Sequence, residues 1–324
     1  MRIRPFDITS DDDVKRWHAV AATVQAHDFP AWPELTLDET QAAVRAPNPA
    51  GETVLRWLAE DDSGPIGTAA LTMLAAPNAA AAEIDLVVVP PLRRRGHGRA
   101  LLRAAAPTAA GRALHTSTAE GGDGAAFAER LGFRVAQRVP ESVTDLRRAD
   151  PVWLASLAGA EHPGYRLTRW IGRTPDEHVA SFALARRSMA DAPTGDTGWQ
   201  TPAWDTPRIR EDEAIYSARG HELRIVAALA DGGDVAGLTE VVVSRFSPRR
   251  AHQEDTLVTP AHRGHGLGLW MKADMATWLL AERPDVTEIA TWNAEENRHM
   301  RSINETLGYA VETWWLNLVG DSVA

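Results

Sequence analysis

Four side chains in the C-terminal half could move a proton: Tyr216, Glu240, His252 and Glu254. Glu240 stands in Gly237-Leu-Thr-Glu-Val, a carboxylate inside an apolar strand pattern. Burial there would raise its pKa toward neutrality. Such a base can take a proton from an ammonium whose own pKa lies near 10. His252 and Glu254 follow on the next strand, in Ala251-His-Gln-Glu-Asp-Thr-Leu-Val258. Strict alternation would put His252, Glu254, Thr256 and Val258 on one face and Asp255 on the other. Tyr216 is a candidate proton donor, whereas Tyr309 reads as a core aromatic. No His, Asp or Glu group has metal-ligand spacing. The chain has no cysteine, which excludes disulfides, thiolate metal sites and a cysteine acyl-enzyme.

These residues flank a stretch that occurs twice. Val88-Val-Pro-Pro-Leu-Arg-Arg-Arg-Gly-His-Gly98 and Val258-Thr-Pro-Ala-His-Arg-Gly-His-Gly-Leu-Gly268 coincide at an offset of 170 positions (260 − 90). Each is a β-branched run, a proline, a glycine-rich turn and a helical pattern, so strand, loop, helix. Inward-curling N–H groups and the helix's positive end make an anion cradle suited to a phosphate. Neither copy has the Gly-Lys-Ser/Thr of a P-loop. The third glycine of a dinucleotide fingerprint is replaced by Leu101 and Met271.

The shared pattern, Val-x-Pro-x-x-Arg-x-x-Gly-x-Gly, resembles the acyl-CoA signature of the GNAT N-acetyltransferase superfamily. The layout is similar to that of two-domain, mycothiol synthase-like acetyltransferases. The resemblance implies an α/β (α+β) chain of two tandem domains, 1–148 and 149–324. Each is expected to have a mixed, largely antiparallel sheet flanked by helices, with two strands splayed around acetyl-CoA. The residues it points to for acetyl-CoA are Leu257, Val258, Thr259, Arg263, Gly264, His265, Gly266, Leu267, Gly268 and Asn297. In the first copy they are Val87, Val88, Val89, Arg94, Arg95, Gly96, His97, Gly98 and Arg99. A backbone N–H near Val258 is expected to stabilise the thioester oxyanion. The family's second landmark survives in the second half as Asn297 and Gly308-Tyr309, while the first half has Gly121 at the Asn position. The second half is therefore expected to be catalytic and the first degenerate. The family's general-acid Tyr is replaced by Asn304 and Ala128. The reaction implied is acetyl transfer to a primary amine of a small molecule. The rival readings are a non-catalytic acyl-CoA sensor and a protein N-acetyltransferase.

With 34 basic and 44 acidic residues (net −10), the chain is a poor candidate for nucleic acid. No run reaches transmembrane length and the N-terminus lacks a signal pattern, so a cytoplasmic monomer or homodimer without a membrane partner is expected. A helix over 175–189 is predicted to start in a capping box, Thr174 with Glu177. Periodicity fades over 140–165, and the junction between the halves is expected near 145–160. The proline-rich excursion 190–207, with Trp199 and Trp204, is expected to border the acceptor pocket.

Overall fold

The chain is seen here in a computed structural model that describes residues 1–109 and 111–321. In order the elements are β1 (Arg2–Pro5), α1 (Asp11–Asp28), α2 (Leu37–Arg45), β2 (Thr53–Asp61), β3 (Gly64–Met73), β4 (Ala81–Val88), α3 (His97–Ala105), β5 (Ala113–Ala119), α4 (Asp123–Arg130) and β6 (Arg134–Asp145). Then come α5 (Pro151–Ala158), β7 (Tyr165–Ile171), α6 (Asp176–Arg186), α7 (Thr206–Ala218), β8 (His221–Ala230), β9 (Val235–Ser244), β10 (Arg250–Val258), α8 (Leu267–Glu282), β11 (Glu288–Trp292), α9 (Arg298–Thr306) and β12 (Ala310–Gly320). Side-chain caps set several starts: Ser10 Oγ accepts from the Asp13 N–H, and Asp205 from that of Arg208.

The chain forms two compact units, each with its own run of paired strands. The first holds residues 1–138, Gly195–Trp199 and the last strand from Trp315; the second holds Val139–Thr194 and Gln200–Trp314. In the first, β1, β2, β3 and β4 pair antiparallel, β5 lies parallel to β4, and β12 runs antiparallel to β5. In the second, β7, β8, β9 and β10 pair antiparallel, β11 lies parallel to β10, and the end of β6 runs antiparallel to β11. The expected halves 1–148 and 149–324 thus exchange their last strands: β6 closes the second run and β12 the first. The central strands are buried on both faces, β9 along its whole length. Ile66, Leu71, Leu101 and Leu114 anchor the first unit. The second has a layer under α5 and α8 and another under α6 and α7.

Two local expectations change. Residues 151–158 are a helix, not an irregular junction: Asp150 accepts from the Val152 and Trp153 N–H groups, and Pro151 sits at the first helical position, where its missing N–H does no harm. The capping box fails. Pro175, not Thr174, precedes α6, and the Thr174 N–H instead donates to Glu213 Oε1 at 2.7 Å.

The second run is braced by buried Arg250. Its Nε donates to Glu288 (2.9 Å) and its Nη1 to Glu312 (2.7 Å), with fully buried Glu141 at 3.5 Å. Removing one member of a buried ionic cluster strands the others. Arg250→Met is therefore expected to lower unfolding free energy by about 3 kcal/mol, read by urea denaturation.

Candidate active site

In each unit the parallel strand pair touches briefly and then parts. β4 and β5 are in register only over Ala81–Glu83 and Ala113–His115. β10 and β11 are in register over Arg250–Gln253 and Glu288–Thr291, after which β10 continues to Val258. Both strands then face a gap with backbone that has no partner strand there.

The second unit adds a feature that the first lacks. Between Gln253 and Thr256, β10 carries one extra residue against β9, whereas β4 pairs with β3 without a shift. The bulge takes Glu254 and Asp255 out of the β9 ladder. Gln253 holds it, donating from Nε2 to Thr239 Oγ1 (3.0 Å) and to the Glu240 carbonyl (2.5 Å). The alternation expected for β10 is broken as a result. His252 lies opposite Val242 and shares its face with Leu257 beneath α6 and α7, while Val258 packs toward α8. Asp255, expected on the far face, meets Glu240 through buried Arg186 of α6: Nη1 donates to Glu240 Oε1 and Nη2 to Asp255 Oδ2, both at 2.9 Å. The Trp204 ring covers that guanidinium at 3.9 Å. The Thr259 N–H donates to the Ala236 carbonyl of β9 (2.9 Å), so by the alternation of backbone groups along β10 the Val258 N–H is directed away from β9, toward the gap that β11 has left.

The result is a nest of carboxylates around one cation. Burial raises Glu240 to about 8 against the pull of Arg186. Glu254 sits on the exposed lip of the nest. The protein around it and the neighbouring Asp255 raise it to about 7, and its water access makes Glu240 the more strongly perturbed of the two. Asp212 of α7 is also raised by burial. Tyr216, on the same helix, is pushed up by burial and by Glu254, so the phenol keeps its proton. His252 falls to about 4 through burial and Arg250, and stacks on Trp292 with centroids 5.5 Å apart; it is a neutral ring at pH 7.

The glycine turns show where the loop residues go. Arg263 fastens its own loop: Nε donates to the Val258 carbonyl (3.1 Å) and Nη2 to Asp191 (2.5 Å). Arg93 does the same with Val88 (3.0 Å) and Asp28 (2.6 Å). Gly264 and Gly266 take φ of 83° and 72°, and Gly266 opens α8. Where the second copy has Gly264, the first has Arg94, held at φ 63°. Arg94, Arg95 and Arg99 are exposed and carry no ion pair among the described residues. His162, unforeseen from the sequence, lies over the second turn: its Nδ1 donates to the His265 carbonyl (2.9 Å) and its ring stacks on Trp270 (4.2 Å). Asn297 caps α9, its Oδ1 accepting from the Met300 N–H. Tyr309 is a buried core residue, as expected. Of the excursion 190–207, Asp191 and Trp204 belong to the site's frame, whereas Asp196 bonds to Ala136 of the first unit.

Arg186 could have been suspected, as one charge on a helix face of Val179, Phe182, Ala183 and Ala185. Asp212 gave no such signal. Among the described residues no group of His, Asp and Glu could hold a metal ion, and no helix is long and apolar enough to cross a membrane.

A mixed sheet whose parallel strands part beside a glycine turn, met twice, defines a pair of acyl-transferase folds. The acetyltransferase (GNAT) family profile matches residues 16–133 and 189–309, and the chain belongs to that family and is an N-acetyltransferase. The mycothiol acetyltransferase of Salinispora arenicola (strain CNS-205) is 30% identical over 236 residues, 72% of this chain and 71% of that protein. A tandem GNAT protein from the clavulanic acid biosynthesis pathway, solved without AcCoA, superposes with a TM-score of 0.85 at 26% identity, covering 100% of this chain and 99% of its own. A GCN5-related N-acetyltransferase from Sphaerobacter thermophilus shares the fold at a TM-score of 0.70 and 14% identity, over 100% of this chain and 96% of its own.

The raised carboxyl of Glu240 has a consequence for stability. The folded state holds this proton more tightly than the unfolded chain, so stability drops as pH rises from the ordinary carboxylate range toward about 8. Glu240→Gln removes that slope. The variant should gain about 2 kcal/mol relative to the wild type between pH 5 and pH 8, measured by urea unfolding at both.

Proposed function

We propose that the second unit transfers acetyl from acetyl-CoA to a primary amine of a small molecule, with Glu254 as the base. The observation that carries this is the bulge in β10, which turns Glu254 and Asp255 onto Glu240 at the point where β10 and β11 part. The residues present fit the donor: a Cβ at Gly264 would meet nothing within 4 Å, and the open turn leads straight into α8. Acetyl-CoA supplies an activated acyl thioester when bound.

The chain's own groups do the rest. At neutral pH Glu240, raised to about 8, mostly keeps its proton, so the ionised form of Glu254, raised only to about 7 and open to solvent, is the carboxylate that an acceptor arriving as an ammonium would meet. Glu254, raised to about 7 and open to solvent, is matched to taking the ammonium's proton near neutral pH. Arg186 clamps Glu240 and Asp255 and so fixes the bulge. Tyr216 remains a proton donor beside Glu254. The first unit lacks the bulge, and there Glu83 and Asp85 carry no arginine clamp among the described residues.

Two measurements test this. Glu254→Gln should lower kcat/KM for an accepted amine by about 100-fold and abolish the acidic limb near pH 7, followed by release of free thiol; an unchanged pH profile would remove Glu254 from the role. Acetyl-CoA titrated calorimetrically into Gly96→Asp and Gly266→Asp variants locates the donor. Loss of binding only with Gly266→Asp places the donor in the second unit, and loss only with Gly96→Asp inverts the assignment.

A further inference from the structure

Asn304 of α9 is buried, and its carboxamide is held at one end only. Nδ2 donates to Asn293 Oδ1 at 2.6 Å, while Oδ1 has no partner. Turning the amide over exchanges its two ends and still leaves one of them alone. Buried polar atoms are nearly always paired, so an orphan of this kind calls for a missing partner. Its position says which. Asn293 directly follows β11, where that strand has parted from β10. The preceding residue on α9, Ile303, would stand 3.3 Å from a Cβ at Gly268, so α9 lies beside the start of α8. In the first unit Phe127 takes the same place against Gly98, at 3.4 Å, and the next residue is Ala128. The orphan therefore belongs to the second gap and has no counterpart in the first.

We propose that Asn304, steadied by Asn293, is a donor-binding residue whose free carboxamide end pairs with a secondary amide of the pantetheine arm. The inference rests on the acetyl-CoA reading above. A neutral carboxamide oxygen needs an N–H or O–H donor, which a phosphate or a thioester does not offer. The acceptor's ammonium has the carboxylate of Glu254 to meet. A pantetheine amide offers the N–H that the orphan Oδ1 lacks.

The test uses CoA and two CoA analogues, each with one pantetheine amide N–H replaced by oxygen. They are titrated calorimetrically into the full chain carrying Gly96→Asp, so that the first unit does not contribute. CoA should bind about tenfold more weakly to Asn304→Leu, and one analogue about tenfold more weakly to the parent chain. That analogue should lose nothing further in Asn304→Leu. In steady state the variant should raise KM for acetyl-CoA by a similar factor with kcat within about twofold. A folded Asn304→Leu chain that binds CoA normally overturns the proposal. So does one that loses the same factor for CoA and both analogues, which marks a structural role. If the parent binds CoA but distinguishes neither analogue, only this inference fails; if it does not bind CoA, the acetyl-CoA reading fails with it. Should Asn304→Leu not fold, Asn304→Ser is read the same way.

Discussion

A carboxylate can act as a base near pH 7 only where its charged form is disfavoured, yet a charge disfavoured by burial also destabilises the fold. The second unit meets both demands with one guanidinium. Arg186 bridges Glu240 and Asp255 at 2.9 Å each, beneath the Trp204 ring. That contact holds two acidic side chains side by side and locks the extra residue of β10 between them. Without the bulge, Asp255 and Glu254 would point to opposite faces of the strand. The carboxylates, the freed backbone and the parting of β10 from β11 therefore depend on the same few contacts.

The two units began from one pattern, and their differences concern chemistry more than architecture. Both have the parted parallel pair, the proline turn and an arginine fastened to the last carbonyl of the strand. The second alone has the bulge, the clamp and a carboxamide at Asn304, where the first has the methyl of Ala128. What the first has instead is positive charge: Arg94, Arg95 and Arg99 stand free around its turn. A cradle with free cations is a better anion trap than one whose arginine is tied to Asp191. Sequence degeneracy in the first half is thus not the same as loss of binding.

Much of the frame was legible because it rests on local rules. Glycine turns, β-branched runs and apolar helix stripes announce themselves through conformational preference and period. α5 escaped because eight residues opening on Pro151 show no periodic stripe, and its start depends on the Asp150 cap. The exchange of β6 and β12 could not be read at all: a strand's pattern specifies which face is buried but not which neighbour it joins. Nor could the bulge, since one inserted residue alters register without altering composition. Glu240 and Glu254 could be singled out all the same, because a carboxylate in an apolar strand is conspicuous however the strand is kinked. Asp255 was misplaced because strict alternation was applied across a break.

Arg94 carries the argument one step further. A non-glycine residue at φ 63° is held against a steric cost of roughly 1 kcal/mol, and the second copy avoids that cost with Gly264. Strain at one residue persists only where its surroundings over-determine it. Around Arg94 the turn is fastened by Arg93 to Val88 and Asp28, so the backbone shape is imposed by those contacts and not by Arg94 itself. The side chain stays exposed and unpaired, which means that its charge contributes nothing to the fold. A strained backbone supporting a free cation at the mouth of an anion cradle is the arrangement expected of a turn that still meets a phosphate. The first unit's turn thus keeps the shape and the charge of an anion cradle while lacking the bulge and the arginine clamp of the second.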